Sequence, residues 1–286
     1  MEGWLAGAGL EPRLVREVVA RALEEDLGPG DVTTRAVVME GRECQAELVA
    51  KAEGVVAGLP VAVEAFRQVD PAVQITLAVR DGHAVMYGQT LASVRGSARG
   101  VLGAERVALN FLQRLSGVAT YTARMVKAVQ GTGASILDTR KTTPGLRALE
   151  KYAVRVGGGR NHRCGLFDGV LIKDNHLALA GGVGAAVDLA KAHAPHGLRV
   201  EVEVSSLEAM EEAIAAGADV VLLDNMTPEL LAAAVQANAG RVLLEASGGI
   251  TLENVRAVAS TGVNLISMGA LTHSAPALDI SLEVLA

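Results

Sequence analysis

The order of hydrophobic and polar positions changes several times along this chain, and each change predicts an element of structure. Over residues 11–26, apolar side chains recur at helical spacing. Residues 42–66 and 71–95 instead contain short β-type runs punctuated by glycine, and an Asp-Gly pair at 81–82 predicts a hairpin turn. Residues 103–130 return to helical spacing. We therefore expect a small α+β domain built on an antiparallel sheet, followed by one or two long helices.

Beyond residue 130, short aliphatic runs alternate with amphipathic stretches of helical length. The runs are ASILDT (134–139), GVLIKD (169–174), VEVEV (200–204), DVVLLD (219–224), RVLLEA (241–246) and NLISMG (264–269). Repeated β–α units of this kind form parallel strands. Six or seven units can curl into a barrel or lie open as a doubly wound sheet. We favour the barrel, because reactive side chains follow nearly every run.

These reactive side chains stand at the carboxyl ends of the runs in a consistent order. The early runs end in cations, the middle runs in acids and the last two in glycine-containing turns: Arg140 and Lys141; Lys173; Glu203; Asp224; Ser247, Gly248 and Gly249; and Gly269. In βα barrels the active site assembles at this rim. The segment EASGGITLENV (245–255) predicts a strand, a glycine turn and a helix start, whose N–H groups and dipole suit a phosphate.

The stretch from Asp138 to His176 is a cationic island in an acidic protein. The chain of 286 residues has a formal net charge of -6, yet this stretch holds eight of its 26 Lys and Arg residues against four acids. A steep local field suits a small, multiply charged anion better than a long polyanion. Within the island, Arg147, Lys151 and Arg155 are spaced by four, which predicts a solvated basic face on a helix.

Composition excludes several other classes of protein. The acidic balance and the small number of aromatic residues argue against a nucleic-acid binder. Every long apolar run is interrupted, so none approaches the ~20 residues needed to cross a bilayer. The N-terminus carries an acid at once and has no basic start before an apolar block, so we expect no signal peptide. Because Cys44 and Cys164 give no disulfide framework, we expect a cytoplasmic protein without a membrane partner.

Two acids in the run VEVEV lie two residues apart and therefore share a face of the strand. A solvent-facing strand would explain both Glu201 and Glu203, whereas inward carboxylates in a buried strand need a metal or a hydroxyl partner. We select Glu203, which is nearer the rim, and Asp224 as the functional acids. Two rim carboxylates beside a phosphate site predict Mg²⁺, held partly through water and substrate phosphates.

Several long motifs carry a family resemblance. The segment DTRKTTPGLRALEKYAVRVGGGRNHRCGLFDGVLIKDNH, followed by EVEV, LLDNM, EASGGI and ISMGALTHSAPALDISL, resembles the quinolinate phosphoribosyltransferase (decarboxylating) family of NAD synthesis. The motifs GDVTT and GAERVALNFLQRLSGVAT extend the resemblance over nearly the whole chain. The resemblance implies an α/β protein with an N-terminal α+β open sandwich domain (1–116) and an incomplete α/β barrel of about seven parallel strands (117–271). The C-terminal tail (272–286) would pack back on the first domain.

The same resemblance implies a reaction and a set of residues. Quinolinate and phosphoribosyl pyrophosphate, with Mg²⁺, would give nicotinate mononucleotide, pyrophosphate and CO₂. Substrate contacts are implied for Arg106, Thr139, Arg140, Lys141, His162, Arg163, Lys173, Glu203, Asp224, Ser247, Gly248, Gly249, Ser267 and Gly269. Among these, Lys141, Glu203 and Asp224 are the implied catalytic residues, and the two acids are the implied Mg²⁺ ligands, directly or through water. Arg106 would reach in from a neighbouring subunit, which implies a homodimer and leaves a hexamer open.

Three alternatives remain at this point. A phosphoribosyltransferase of the same fold could take nicotinate or a related base, although the number of cations in 140–173 favours a dicarboxylate. A sugar-phosphate isomerase or aldolase would use a full barrel and would not need so many cations. A non-catalytic binder of an anionic metabolite would have no use for Glu203 and Asp224.

Overall fold

The computed structural model describes residues 7 and 9–285, and within them the chain forms two kinds of sheet. The helices are α1 (Pro12–Leu27), α2 (Val32–Val37), α3 (Leu59–Val69), α4 (Ala98–Ala128), α5 (Arg147–Val156), α6 (Asp174–Ala180), α7 (Val183–His193), α8 (Leu207–Ala215), α9 (Pro228–Asn238), α10 (Val255–Ser260) and α11 (Ala270–His273). The strands are β1 (Glu43–Ala50), β2 (Gly54–Val55), β3 (Gln74–Leu77), β4 (Ala84–Val85), β5 (Thr90–Ser97), β6 (Ser135–Leu137), β7 (Val170–Ile172), β8 (Val200–Val204), β9 (Val220–Asp224), β10 (Leu243–Ser247), β11 (Leu265–Ser267) and β12 (Ile280–Leu285).

Two compact units divide the chain, and each is built from more than one segment. The first contains the described residues up to 123, together with 143–158 and those from 275 onward. The second contains 124–142 and 159–274. The predicted domain boundary between residues 116 and 117 falls within α4 and stays a prediction. Residues 1–6 and 8 of the predicted first domain, and 286 of the predicted tail, lie outside the described residues.

The first unit contains the predicted antiparallel sheet, with strand order β12-β1-β5-β3. Apolar and polar side chains alternate along β1 and β5, so one face is buried: Leu48, Ala92 and Val94 are each at most 2% exposed. The register places Ala50 opposite Ile280. The C-terminal strand therefore pairs with the first strand of the chain.

The Asp-Gly pair at 81–82 forms a turn, but the prediction that it joins a hairpin is wrong. The strands on either side do not pair with each other, since β3 pairs with β5 and β4 pairs with β2. Asp81 instead accepts the N–H groups of Gly58 and Leu59, at 2.7 and 3.1 Å, where α3 begins. The Tyr152 hydroxyl donates to the same carboxylate at 2.6 Å. The turn thus places a half-buried cap on a helix, because a carboxylate satisfies N–H groups that the first helical turn leaves without partners.

Helix α5 does not have the solvated basic face that its sequence predicts. Residues 149–154 are all buried, and Lys151 is only 3% exposed. Arg155 is exposed, and its guanidinium carbon lies 5.8 Å from the centre of the Tyr152 ring. Spacing by four could not reveal this burial, because the neighbours of α5 are remote in sequence.

The second unit contains a parallel sheet with strand order β6-β11-β10-β9-β8-β7. All six predicted aliphatic runs form its strands, and Val202, Val221 and Ile266 are fully buried in its core. Between the described strands, no pairing joins β6 to β7, so the sheet is an open one of six strands rather than about seven. A single parallel bridge from Leu137 to Arg160 adds a seventh segment beside β6 without forming a strand. The predicted α/β class is confirmed.

Membrane insertion of a helix receives no support from the described residues. None of their helices combines the length and the apolar character needed to span a bilayer.

Candidate active site

A cavity of about 280 Å³ opens at the carboxyl ends of the strands of the second unit. Nine predicted site residues line it, together with three that were not selected. The predicted ones are Thr139, Arg140, Lys141, His162, Arg163, Lys173, Glu203, Ser247 and Ser267; the others are Leu171, Leu222 and Glu245. Parallel strands bring their carboxyl ends to one edge, so residues far apart in sequence meet in one place.

Five further predicted residues lie elsewhere. Asp224 ends β9, while Gly248, Gly249 and Gly269 follow directly after β10 and β11. Arg106 is exposed on α4 in the first unit. The cationic island is likewise divided, because its segment 143–158 belongs to the first unit and the rest to the second.

Lys141 is held by the backbone of the loop that follows β6. Its N–H donates to the Thr139 hydroxyl at 3.0 Å, and its carbonyl accepts the Thr272 hydroxyl at 2.7 Å. The side chain passes close to Gly269, where an added Cβ would lie 2.8 Å from Lys141 Cδ. Glycine at 269 therefore leaves the space through which the lysine reaches the cavity.

Lys173 and Glu203 form an ion pair between the ends of β7 and β8. The lysine side chain is 43% exposed and the glutamate side chain 18% exposed, so the pair stands at the mouth of the cavity rather than in its depth. The N–H of Lys173 donates to His176 Nδ1 at 2.9 Å, which fixes the start of α6. The pair keeps a cation and an acid side by side at the rim.

Arg163 lies at the start of a loop that is held by hydrogen bonds of Arg163 and Asp168. Its Nη1 donates to the Gly169 carbonyl at 3.1 Å. The carboxylate of Asp168 accepts the N–H groups of Cys164 and Gly165, at 2.7 and 2.8 Å. Burial lowers the pKa of Arg163, and the nearby charge of Arg140 lowers it further. Two guanidinium groups crowded in this way favour an anionic ligand between them.

Beneath these cations lies a buried cluster of one histidine and two acids. His162 Nε2 is 3.0 Å from Glu201 Oε2 and 3.7 Å from Glu245 Oε1. Glu201 is 7% exposed and Glu245 1% exposed. Burial raises the pKa of Glu245 to about 7, with the negative charge of Glu201 adding to the effect, while His162, Ser267 and Lys173 act in the opposite direction.

The sequence alone did not single out Glu245 as a site residue, and Glu203 was preferred to Glu201. A signal for both was present, since each acid interrupts an otherwise aliphatic strand. Such an acid must find a partner within the fold. In the folded chain, His162, Glu201 and Glu245 place their ligand atoms within 4.8 Å of one another, although the three residues are far apart in sequence.

The glycine turn after β10 is built against the end of β9. The N–H of Asn225 donates to the Ser247 carbonyl at 2.9 Å, and its side-chain amide donates to Asp224 Oδ2 at 2.8 Å. Gly248 has a φ of 97°, and a Cβ there would overlap the side-chain oxygen of Asn225. Asn254 Nδ2 donates to the Gly249 carbonyl at 2.9 Å, which closes the turn. Only glycine fits at 248 without moving Asn225.

Fold and site together define a βα enzyme that binds small anions at the carboxyl edge of its sheet. Comparison with known proteins is more specific. Family models for the N-terminal and C-terminal domains of quinolinate phosphoribosyl transferase match residues 31–116 and 118–283. The chain belongs to the quinolinate phosphoribosyltransferase family.

Individual relatives agree with this assignment. The chain is 48% identical over 260 residues to the probable nicotinate-nucleotide pyrophosphorylase (carboxylating) of Bacillus subtilis, covering 91% of this chain and 90% of the relative. It is 47% identical over 275 residues to the nicotinate-nucleotide pyrophosphorylase (carboxylating) of Mycobacterium leprae, covering 94% and 96%. The solved structure of the nicotinate-nucleotide pyrophosphorylase from Francisella tularensis superimposes with a TM-score of 0.92 at 42% identity, covering 96% of each chain.

Proposed function

We propose that this enzyme transfers the phosphoribosyl group of phosphoribosyl pyrophosphate to quinolinate, with loss of CO₂, to give nicotinate mononucleotide and pyrophosphate. Membership of the family supports the reaction. The observation that carries it to this chain is the convergence of Arg140, Arg163 and Lys173 on one cavity of about 280 Å³. A pocket of this size and charge suits a pyridine with two adjacent carboxylates.

The base pocket lies between the ends of β6 and β7. Guanidinium groups form two parallel bonds to a carboxylate, which fixes both its position and its plane. Arg140 and Arg163 are suited to hold the two carboxylates in this way, while Lys173 supplies a point charge at the rim. Leu171 and Leu222 line the same cavity and offer apolar contact to the pyridine ring.

The ribose and phosphates would lie toward β8–β11. We assign the ribose hydroxyls to Glu203 and Asp224, and the pyrophosphate to Lys141. The 5′-phosphate is assigned to the turn at Ser247, Gly248 and Gly249, together with Ser267 and Gly269. In the described part of the chain, the N–H groups of Gly248 and Gly249 donate to no protein acceptor, so they remain available to a phosphate oxygen.

Glu203 and Asp224 also fit Mg²⁺ by their chemistry. Both are carboxylates at the ends of neighbouring strands, and in each a single oxygen has its protein partner, from Lys173 and Asn225. A hard cation could bind the second oxygen of each, directly or through water. The ion would neutralise charge on the departing pyrophosphate.

The protein side of the mechanism is positioning and electrostatics. As pyrophosphate leaves, positive charge develops on the ribose C1, and the carboxylates of Glu203 and Asp224 stabilise it where it forms. The pyridine nitrogen attacks C1 and becomes cationic, which makes the ring an electron sink. The bond from ring C2 to its carboxylate then breaks, CO₂ departs, and a proton replaces it at C2. No residue acts as a nucleophile. Holding the two substrates in the correct relative orientation accounts for much of the rate enhancement.

We further propose that the active unit is a homodimer in which Arg106 serves the neighbouring site. Its exposure on α4 supports this role, since an exposed arginine is free to meet a second subunit. Sedimentation of the purified protein measures the association state. An Arg106→Ala variant that binds quinolinate as tightly as the native protein would exclude the contribution.

The reaction is tested by incubating purified protein with quinolinate, phosphoribosyl pyrophosphate and Mg²⁺, and measuring CO₂ and nicotinate mononucleotide. We expect both products in equal amounts. Nicotinate, which lacks one carboxylate, should be discriminated against by ~10⁴ or more, because it would leave cations that the bound substrate shields from water without a partner. Equal turnover of the two bases would refute a dicarboxylate pocket and favour the nicotinate alternative.

A further inference from the structure

His162 is the meeting point of the buried cluster, and both of its ring nitrogens have partners inside the protein. The N–H of Arg163 donates to Nδ1 at 2.7 Å, and Nε2 lies 3.0 Å from Glu201 Oε2. The N–H of His162 itself donates to Oδ1 of the buried Asp138 at 2.9 Å. The ring is therefore held in place through both of its nitrogens at the edge of the cavity.

These bonds determine where the ring carries its proton. Nδ1 accepts an N–H, so its lone pair is used and it holds no hydrogen. The single proton of a neutral ring must then lie on Nε2, where it donates to Glu201. A metal ion at Nε2 would need that lone pair, which the proton already occupies. The cluster of His162, Glu201 and Glu245 is thus a hydrogen-bonded cluster rather than a metal site.

The two acids of the cluster, Glu201 and Glu245, act as a pair. Within the part of the chain that the structure describes, Oε1 of Glu201 and Oε1 of Glu245 are buried and have no hydrogen-bond partner. A proton on Glu245 would avoid the burial of two negative charges side by side, in agreement with its raised pKa. Ser267 and Lys173 are the other groups that act on Glu245. With Glu245 protonated, the negative charge of the pair lies on Glu201, whose Oε2 is 3.0 Å from His162 Nε2.

Arg163 links this cluster to the cavity. Its peptide N–H is bound to the His162 ring, and the negative charge of Glu201 supports its guanidinium against burial and the repulsion of Arg140. We propose that Glu201 and Glu245 are positioning residues, which fix the His162 ring and, through it, the peptide and guanidinium of Arg163. The inference deepens the proposed function and rests on it, since Arg163 matters as a quinolinate contact.

The kinetic test uses four variants. Glu201→Gln keeps the size but removes the charge, so we expect the KM for quinolinate to rise by about tenfold or more, while the KM for phosphoribosyl pyrophosphate stays within about twofold. Glu245→Leu should raise the quinolinate KM as well. Glu245→Gln should raise it less, because the amide, like a protonated carboxyl group, is neutral and of the same size. Glu229→Gln, on the exposed start of α9, is the matched control and should leave both constants unchanged.

A spectroscopic test separates this inference from the proposed function, because it needs no turnover. The protein contains six histidines, and nitrogen-15 spectra of their rings show which nitrogen carries the proton. A His162→Gln variant identifies the signal. We expect the neutral form with the proton on Nε2, and a shift of that signal in Glu201→Gln but not in Glu229→Gln.

The outcomes are distinct. A protein that shows the expected ring signal but does not turn over quinolinate would refute the proposed function and keep the cluster geometry. A proton on Nδ1, or a ring signal that Glu201→Gln leaves unchanged, would overturn the positioning role. An equal rise of both KM values in Glu201→Gln would also overturn it, because general loosening of the fold affects both substrates.

Discussion

The buried acid Glu245 should make the stability of this protein depend on pH in an unusual direction. Its pKa is about 7 in the folded protein against an ordinary value of 4.5. Between these values the folded state binds more protons than the unfolded state, so stability falls as pH rises through the interval. The loss is complete above the folded pKa. Because Glu245 is 1% exposed, solvent does not screen the effect.

The magnitude follows from the two pKa values. A tenfold change in proton affinity corresponds to about 1.4 kcal/mol, so the difference amounts to about 3 kcal/mol of unfolding free energy lost by about pH 8. Glu245→Gln removes the titrating group. Relative to the native protein, we expect the variant to gain stability of this order between about pH 5 and about pH 8.

Urea denaturation of both proteins at the two pH values, followed by far-UV circular dichroism, measures the effect. The Glu229→Gln control should shift little and in the opposite sense, since the pKa of that exposed group is lowered by its place at a helix start. A difference between Glu245→Gln and native protein that stays constant with pH, within about 0.5 kcal/mol, would show that Glu245 titrates normally.

Three further changes test other parts of the structure. Arg140→Ala should weaken quinolinate binding ~10–100-fold by calorimetry, since each lost charge-assisted bond is worth ~1.5–3 kcal/mol; unchanged affinity would remove Arg140 from the site. Gly248→Ala should raise the KM for phosphoribosyl pyrophosphate with little change in quinolinate binding alone, because its Cβ displaces Asn225; an unaltered KM would contradict the phosphate assignment. Tyr152→Phe leaves the half-buried Asp81 without a 2.6 Å bond and should cost ~1–3 kcal/mol by urea denaturation; a neutral result would show that other partners replace the hydroxyl.

The order of the parallel strands explains which site residues could be predicted from the sequence. Rim residues such as Lys173 and Glu203 follow aliphatic runs, and parallel strands must bring such positions to one edge. Alternation showed that Glu201 and Glu203 share a face, but it could not show which of them is buried. That depends on β7 and β9 lying on either side of β8, a neighbourhood set by the whole sheet.

The orientation of the His162 ring could not be predicted from the sequence either. In the cationic island, His162 stands beside Arg163 and was expected to contact an anionic substrate. Its ring partner Glu201 lies on another strand, and only the folded sheet brings the two within 3.0 Å. Helix α5 shows the same limit. The spacing of its basic residues predicted a solvent-exposed face, but Lys151 is buried within the first unit.

The pairing of β12 with β1 has a consequence for how the protein is made. A ribosome delivers β1 well before β12, the strand that covers one of its edges, because the whole parallel sheet lies between them in the chain. Until then β1 exposes a row of N–H and C=O groups that can template contact with another nascent chain. Completion of the first sheet must therefore follow synthesis of the whole intervening parallel sheet, a long-range closure that is intrinsically slow. Cells that make this protein quickly should need chaperone protection most before β12 arrives.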